Sequence, residues 1–305
     1  MQRREQDPKA LGAEPDRRVK GVTAKEYDIR VQGITRRYLV IQPDNIEPAT
    51  VPTVIDLHGS GSSAEEHVSI TDARSFAALG AVFVVPRAAI PFRLLADWPA
   101  GWAWNVPGSP LPGESAARRE PDDMAFLDAL TTRLIDGHGV DPCRIHLRGF
   151  SGGARLSSHV LAASGDRMAS VCCVGGVRFV APSGDLCPLL AIHGYLDEIN
   201  PPDGGDGPRW SESVASAVYR WAIASRCGPT PQHHTIGDGV RATCYYDGDD
   251  VAAVRLITIA AAAHSWPGTS QRDHLAQYGP SGSFSASQAH WEFICEIDNG
   301  RQAAP

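Results

Sequence analysis

What this chain of 305 residues lacks narrows its function before any motif is read. It has no run of about 18 or more apolar residues, so no membrane-spanning helix is expected and no membrane partner with it. It has no cationic excess: 28 Lys and Arg stand against 35 Asp and Glu, a net charge of −7. Such a chain offers nucleic acid no basic surface, and its acidic balance disfavours a polyanionic substrate. No C-x-x-C or H-x-x-x-H spacing suggests a zinc site, and neither metal nor cofactor is expected. No internal repeat is present, and nothing indicates an oligomeric state. The opening Met1-Gln2-Arg3-Arg4-Glu5 is polar and lacks the apolar core of a signal peptide, so a cytoplasmic location is expected. The seven cysteines would then be reduced. Cys172-Cys173 sit in an apolar run and read as small hydrophobes, while His233-His234 read as part of a polar loop.

What is present can build a large core, with 43% hydrophobic and 21% charged residues. Residues 1–24 read as a flexible tail, 25–297 as one domain, and 298–305 as a short C-terminal tail. Segments 27–31 and 35–41 alternate apolar and polar residues around Gly33, the pattern of an antiparallel hairpin. Strands are expected at 52–57, 81–85, 144–148, 168–174, 189–193 and 254–260, and helices at 63–79, 122–135, 154–163, 211–225 and 284–297. This alternation implies an α/β fold with a mostly parallel, doubly wound sheet and an N-terminal antiparallel hairpin. Between them, residues 86–121 are rich in Pro and Gly and carry Trp98, Trp102 and Trp104. A connection that long inside a domain is usually functional, and the tryptophans argue against disorder.

The chemistry-bearing motif is Gly149-Phe150-Ser151-Gly152-Gly153, placed between an apolar strand and a helix-period stretch. A G-x-S-x-G in that setting is a nucleophile elbow, the strained turn of the α/β-hydrolase fold that exposes a serine. Its partners should follow in the order acid, then histidine. Asp197 lies just past the end of an apolar strand in His193-Gly194-Tyr195-Leu196-Asp197, and is preferred to its neighbours Asp185, Glu198 and Asp203. His264 follows the last strand, after Ala260 to Ala263, and is preferred to His290 in the closing helix. An oxyanion hole would use the backbone N–H of Gly152 and a second from His58-Gly59-Ser60-Gly61, for which Ser60 is the choice.

Together these pieces resemble the polyhydroxybutyrate depolymerase-like esterases, which overlap with feruloyl and acetylxylan esterases. The resemblance spans residues 27–291 and includes Leu57-His58-Gly59, Gly101-Trp102-Ala103-Trp104-Asn105 and Asp122-Asp123-Met124-Ala125-Phe126-Leu127. It continues through Val140-Asp141-Pro142-Cys143, His193-Gly194-Tyr195-Leu196-Asp197 and His264-Ser265-Trp266-Pro267-Gly268. It implies Ser151 as nucleophile, His264 as base and Asp197 as acid, with Trp102, Trp104 and Trp266 at the substrate. It also points to a disulfide between Cys227 and Cys244 if the protein meets an oxidising compartment. The chain departs from the family in lacking a signal peptide and in having alanines, not glycines, before His264. The expected partner is therefore a small or oligomeric ester of hydroxyalkanoate or feruloyl type. Transfer of the acyl group to an acceptor other than water would use the same residues. A non-catalytic binding module would be expected to lack one of the three.

Overall fold

Short apolar runs form strands buried on both faces, and the helical segments between them supply the covering layers. The structure, a computed structural model, describes residues 19–207, 209–248 and 252–303. Its strands are β1 (Val22–Val31), β2 (Ile34–Pro43), β3 (Thr53–Leu57), β4 (Val82–Pro86), β5 (Ile90–Phe92), β6 (Gly101–Ala103), β7 (Ile145–Phe150), β8 (Ser170–Val174), β9 (Leu189–Gly194), β10 (Gln232–Gly237), β11 (Val240–Tyr245) and β12 (Val254–Ile259). Its α-helices are α1 (Ala64–Thr71), α2 (Ala73–Ala77), α3 (Asp123–His138), α4 (Gly152–Ser164), α5 (Val214–Ala224), α6 (Arg272–Tyr278) and α7 (Ala286–Ala303).

One sheet runs β1-β2-β4-β3-β7-β8-β9-β12-β11-β10. Its centre, β4 to β12, is parallel. An antiparallel hairpin closes each edge. From β3 the chain first builds outward to β4 and then, from β7, in the opposite direction. The switch point therefore lies between β3 and β7, where open α/β sheets form their ligand crevice. Alternate residues serve opposite faces. Ile55, Val84, Leu147, Val171 and Ala191 pack with α3, α4 and α5 in one core. Phe83, Val54, Leu190 and Ile192 face the other side, against α1, α2 and α7. Each large side chain so buried contributes about 1.5–3 kcal/mol.

Several expectations are corrected. The first strand already starts at Val22, so the N-terminal tail does not reach residue 24, and residues 1–18 of it lie outside the described residues. The closing helix continues to Ala303, so residues 298–303 are not a tail. The helix expected over 63–79 is broken at Asp72, whose backbone is left-handed (φ 52). The His233-His234 segment is not a loop but part of β10, a strand exposed along its length, with a register shift between Thr235 and Gly237. The segment 86–121 contains its own small hairpin, β5–β6. Cys227 and Cys244, the pair left open to a disulfide, are both free and buried.

One buried ion pair crosses the switch point. Asp56 and Arg148 are opposed in the β3–β7 register. The Arg148 guanidinium donates through Nε (2.9 Å) and Nη2 (2.5 Å) to the two Asp56 oxygens. His67 Nε2 adds a contact at 2.8 Å. Burial alone would raise the Asp56 pKa, but Arg148 and His67 hold the carboxyl well below its usual range. The guanidinium also lies 4.9 Å from the ring of Trp266 and 5.3 Å from that of Phe83. Removing one partner leaves a buried charge uncompensated, which typically costs about 3–5 kcal/mol. Asp56→Ala should therefore lose about that much stability in urea denaturation, and the double variant Asp56→Leu/Arg148→Met should recover most of it. A single-variant loss below about 1 kcal/mol would contradict this account.

Candidate active site

The strand β7 turns into α4 through one residue, Ser151, at φ 53 and ψ −112. A non-glycine residue in such a region costs on the order of 1–3 kcal/mol and persists only where its surroundings enforce it. Here they do. The Ser151 N–H donates to Val174 O (2.8 Å), and its carbonyl accepts from Arg155 N (3.0 Å). The turn also needs room beside β3. A Cβ on Gly153 would stand 2.5 Å from the Leu57 carbonyl oxygen, so only glycine lets α4 start that close to the strand. Gly152 opens α4, so its N–H has no intrahelical acceptor and sits at the positive end of the helix.

Two further loops reach the serine from the neighbouring strands β9 and β12. His264 Nε2 is 2.9 Å from Ser151 Oγ, and its Nδ1 is 2.7 Å from Asp197 Oδ2. With the proton on Nδ1, the imidazole donates to Asp197 and leaves Nε2 to accept from the serine hydroxyl. The other Asp197 oxygen accepts from the backbone N–H of Ile199 (3.0 Å) and Asn200 (2.7 Å), which fixes the carboxylate. The His264 ring stacks on Phe150 at 5.3 Å. Both His264 and Asp197 are buried. His290 lies in α7, buried near Arg148 and His146, and makes no contact with the serine.

The turn after β3 runs beside Ser151. A Cβ placed on Gly152 would meet Ser60 Oγ at 2.2 Å and Ser60 N at 3.3 Å, so the turn after β3 lies directly against the start of α4. The long loop is stitched to this turn: Gly61 N–H donates to Trp102 O, and Trp102 N–H to Ser62 O, both at 2.9 Å. A Cβ on Gly101 would collide with Gly61 O at 2.1 Å, which explains a glycine there. His58 locks the turn from beneath. Its Nδ1 donates to Gly59 O (2.8 Å), its Nε2 accepts from Ala88 N (3.1 Å), and its carbonyl accepts from Trp104 Nε1 (2.8 Å). A ring that must accept at Nε2 is neutral, and burial lowers the His58 pKa to about 4.

Of the three tryptophans expected at the substrate, Trp104 and Trp266 are buried in supporting contacts and Trp102 is half-buried. Trp104 and Trp266 are both 1% exposed. Trp104 supports His58, and Trp266 donates through Nε1 to Ser287 Oγ (3.1 Å) and covers Arg148. Trp102 is partly buried against the main core, and its backbone carries the bridge to Gly61 and Ser62. The indole at the cleft is Trp98, in edge contact with Tyr278 at 5.0 Å. It shares a cleft of about 530 Å³ beside His264 with Leu94, Leu95, Leu196, Ile199 and Tyr278. Trp98 belongs to the same tryptophan-rich stretch as Trp102 and Trp104, and no spacing rule distinguishes it. Tyr278 ends α6 and carries no motif at all.

No protein-family model matches the chain, and no curated protein matches its sequence. Its backbone does match solved structures. An acetyl xylan esterase from Aspergillus awamori superposes with a TM-score of 0.57 at 12% identity, over 79% of this chain and 94% of that one. Esterase PE8 superposes with a TM-score of 0.52 at 19% identity, over 85% of this chain and 97% of that one. At such identities the likeness is one of fold, and the fold is that of the α/β-hydrolases.

The neutral His58 has a consequence for acid stability. Its folded pKa lies below the ordinary 6.5, so the unfolded chain binds the extra proton first. Stability should fall as pH drops from 6.5 towards 4, by about 3 kcal/mol from this residue. His193, His274 and His290, also lowered by burial, act in the same direction. His58→Gln should show a shallower loss of stability across this window, measured by urea denaturation at a series of pH values. Parallel curves for the two proteins would refute it.

Proposed function

We propose that this protein is a serine carboxylic-ester hydrolase. The observation that carries the reading is the hydrogen-bonded chain Asp197–His264–Ser151 beside Gly152 and Ser60. In this mechanism Ser151 Oγ attacks the ester carbonyl carbon while His264 Nε2 takes its proton. The carbonyl π electrons move onto oxygen, where the N–H groups of Gly152 and Ser60 stabilise the charge. When the intermediate collapses, the C–O bond to the alcohol breaks and the leaving oxygen takes the proton from His264. An acyl ester on Ser151 remains. Water, deprotonated by His264, then attacks that ester, and the second collapse returns the proton to Ser151 and frees the acid. Asp197 holds the imidazole in the required tautomer and stabilises the imidazolium.

The substrate we infer is a small or oligomeric ester of hydroxyalkanoate or feruloyl type. The cleft beside His264 supports it, with aliphatic and aromatic walls and a volume suited to a short chain or one ring. The fold supports the serine chemistry rather than this substrate class, since this turn presents its serine at the C-terminal edge of the sheet.

Hydrolysis of p-nitrophenyl esters from acetate to octanoate, with 3-hydroxybutyrate and ferulate esters alongside, tests the proposal. Ser151→Ala should lower kcat by roughly 10⁴-fold or more, and Asp197→Asn by about 10⁴-fold through the wrong histidine tautomer. A fluorophosphonate should label the wild type at Ser151 and leave Ser151→Ala unlabelled. Full activity in Ser151→Ala would sink the mechanism.

A further inference from the structure

Outside the lining of the apolar cleft, three arginines gather with too few acceptors. Arg155 lies one turn into α4, its N–H bonded to the Ser151 carbonyl. It is 5% exposed, donates through Nη1 to Ser109 Oγ at 3.3 Å, and has no acceptor for its buried Nε–H. Arg178 follows β8, past Gly175, which lies against Phe150 and His264. Its Nε and Nη1 donate to backbone carbonyls of Arg209 and Val177, and its buried Nη2 has no acceptor. Arg209, in the loop after Asp197, likewise has a buried Nε–H without an acceptor. The guanidiniums of Arg155 and Arg178 lie against the same indole, Trp210, at 5.9 and 3.3 Å from its centroid.

The charge balance of this cluster is incomplete. Among the described residues no carboxylate forms an ion pair with any of the three; Glu212 and Asp197 act on Arg178 only from a distance. Glu212 is bonded to Arg220, and Asp197 to His264. Burial and the neighbouring arginines push Arg155 down to about 9, and burial pushes Arg178 down to about 10. Both stay charged near neutrality, but each repels the others. Buried cations are ordinarily matched by a hydrogen-bonded anion, and these have none among the described residues. Guanidinium pairs suit a planar carboxylate, which can take two donors side by side.

We propose that Arg155, Arg178 and Arg209 form a subsite for a carboxylate carried by the substrate. The inference rests on the serine-hydrolase reading and sharpens it: the preferred ester bears one free carboxylate within reach of Ser151. Its neutral remainder occupies the cleft beside Trp98. An oligomer of a hydroxy acid, which ends in a carboxylate, has this chemistry.

The test compares mono-p-nitrophenyl glutarate with p-nitrophenyl valerate, a neutral ester of the same chain length. The wild type should favour the glutarate in kcat/KM by about tenfold or more, the worth of one charge-assisted hydrogen bond. Arg178→Gln and Arg155→Gln should each reduce that ratio by about tenfold, and Arg178→Lys should restore part of it. A ratio of two substrates cancels any loss of folded protein. No preference in the wild type, or a preference unchanged in both variants, overturns the subsite. Failure of the hydrolase reading looks different: neither ester is cleaved and fluorophosphonate leaves Ser151 unlabelled. The subsite is then judged by free glutarate. A rise in Tm that Arg178→Gln abolishes supports it, and no rise overturns it.

Discussion

The strained backbone of Ser151 is the constraint on which the rest of the site depends. At φ 53 the serine stands at the apex between β7 and α4, clear of both. Its partners must then come from whichever loops leave the same edge of the sheet. Strands β9 and β12 run parallel and in register, Gly194 opposite Ile259, so the loops that follow them emerge side by side. That is how residues 67 and 113 positions apart in sequence come within hydrogen-bond distance. The turn after β3 completes the enclosure only because Gly153 allows α4 to start against Leu57.

Much of this architecture was legible in the sequence because its signals are local. A strand, G-x-S-x-G and a helix mark the strained turn at Ser151 from a dozen residues. Asp197 and His264 each follow an apolar run of the kind buried parallel strands require. The elements that escaped are those whose partners are distant or whose pattern is weak. β10 reads Gln-His-His-Thr-Ile-Gly and buries nothing, so no alternation marks it. The three tryptophans show the same limit. An indole's size announces a hydrophobic duty, but only the packed structure distinguishes a wall of the cleft, Trp98, from a strut beneath it, Trp104. Net charge misled in another way. An overall balance of −7 says nothing about three arginines drawn together from α4, the β8 loop and the segment after Asp197.

The cleft and the arginine cluster have opposite character. Towards Trp98 and Tyr278 the surface is apolar and concave, and towards Trp210 it is cationic and short of acceptors. If the proposed ester hydrolysis and carboxylate subsite hold, an ester at Ser151 would be oriented by the polarity of its ends. Beneath this asymmetric surface the buried Asp56–Arg148 pair ties β3 to β7 and braces Trp266, two residues beyond His264. The site thus rests on buried ionic and aromatic contacts beneath it.

The two edge hairpins carry a consequence of a different kind. A parallel sheet core rich in Val, Ile and Leu is a template for aggregation wherever its margin is open. Here β1 is studded with Lys25, Glu26, Asp28 and Arg30, and β10 is short, polar and kinked by a bulge. Neither margin offers a flat run of free amides flanked by greasy side chains. The margins act as gatekeepers: charges along β1 and the register shift in β10 disfavour pairing with a strand of a second molecule.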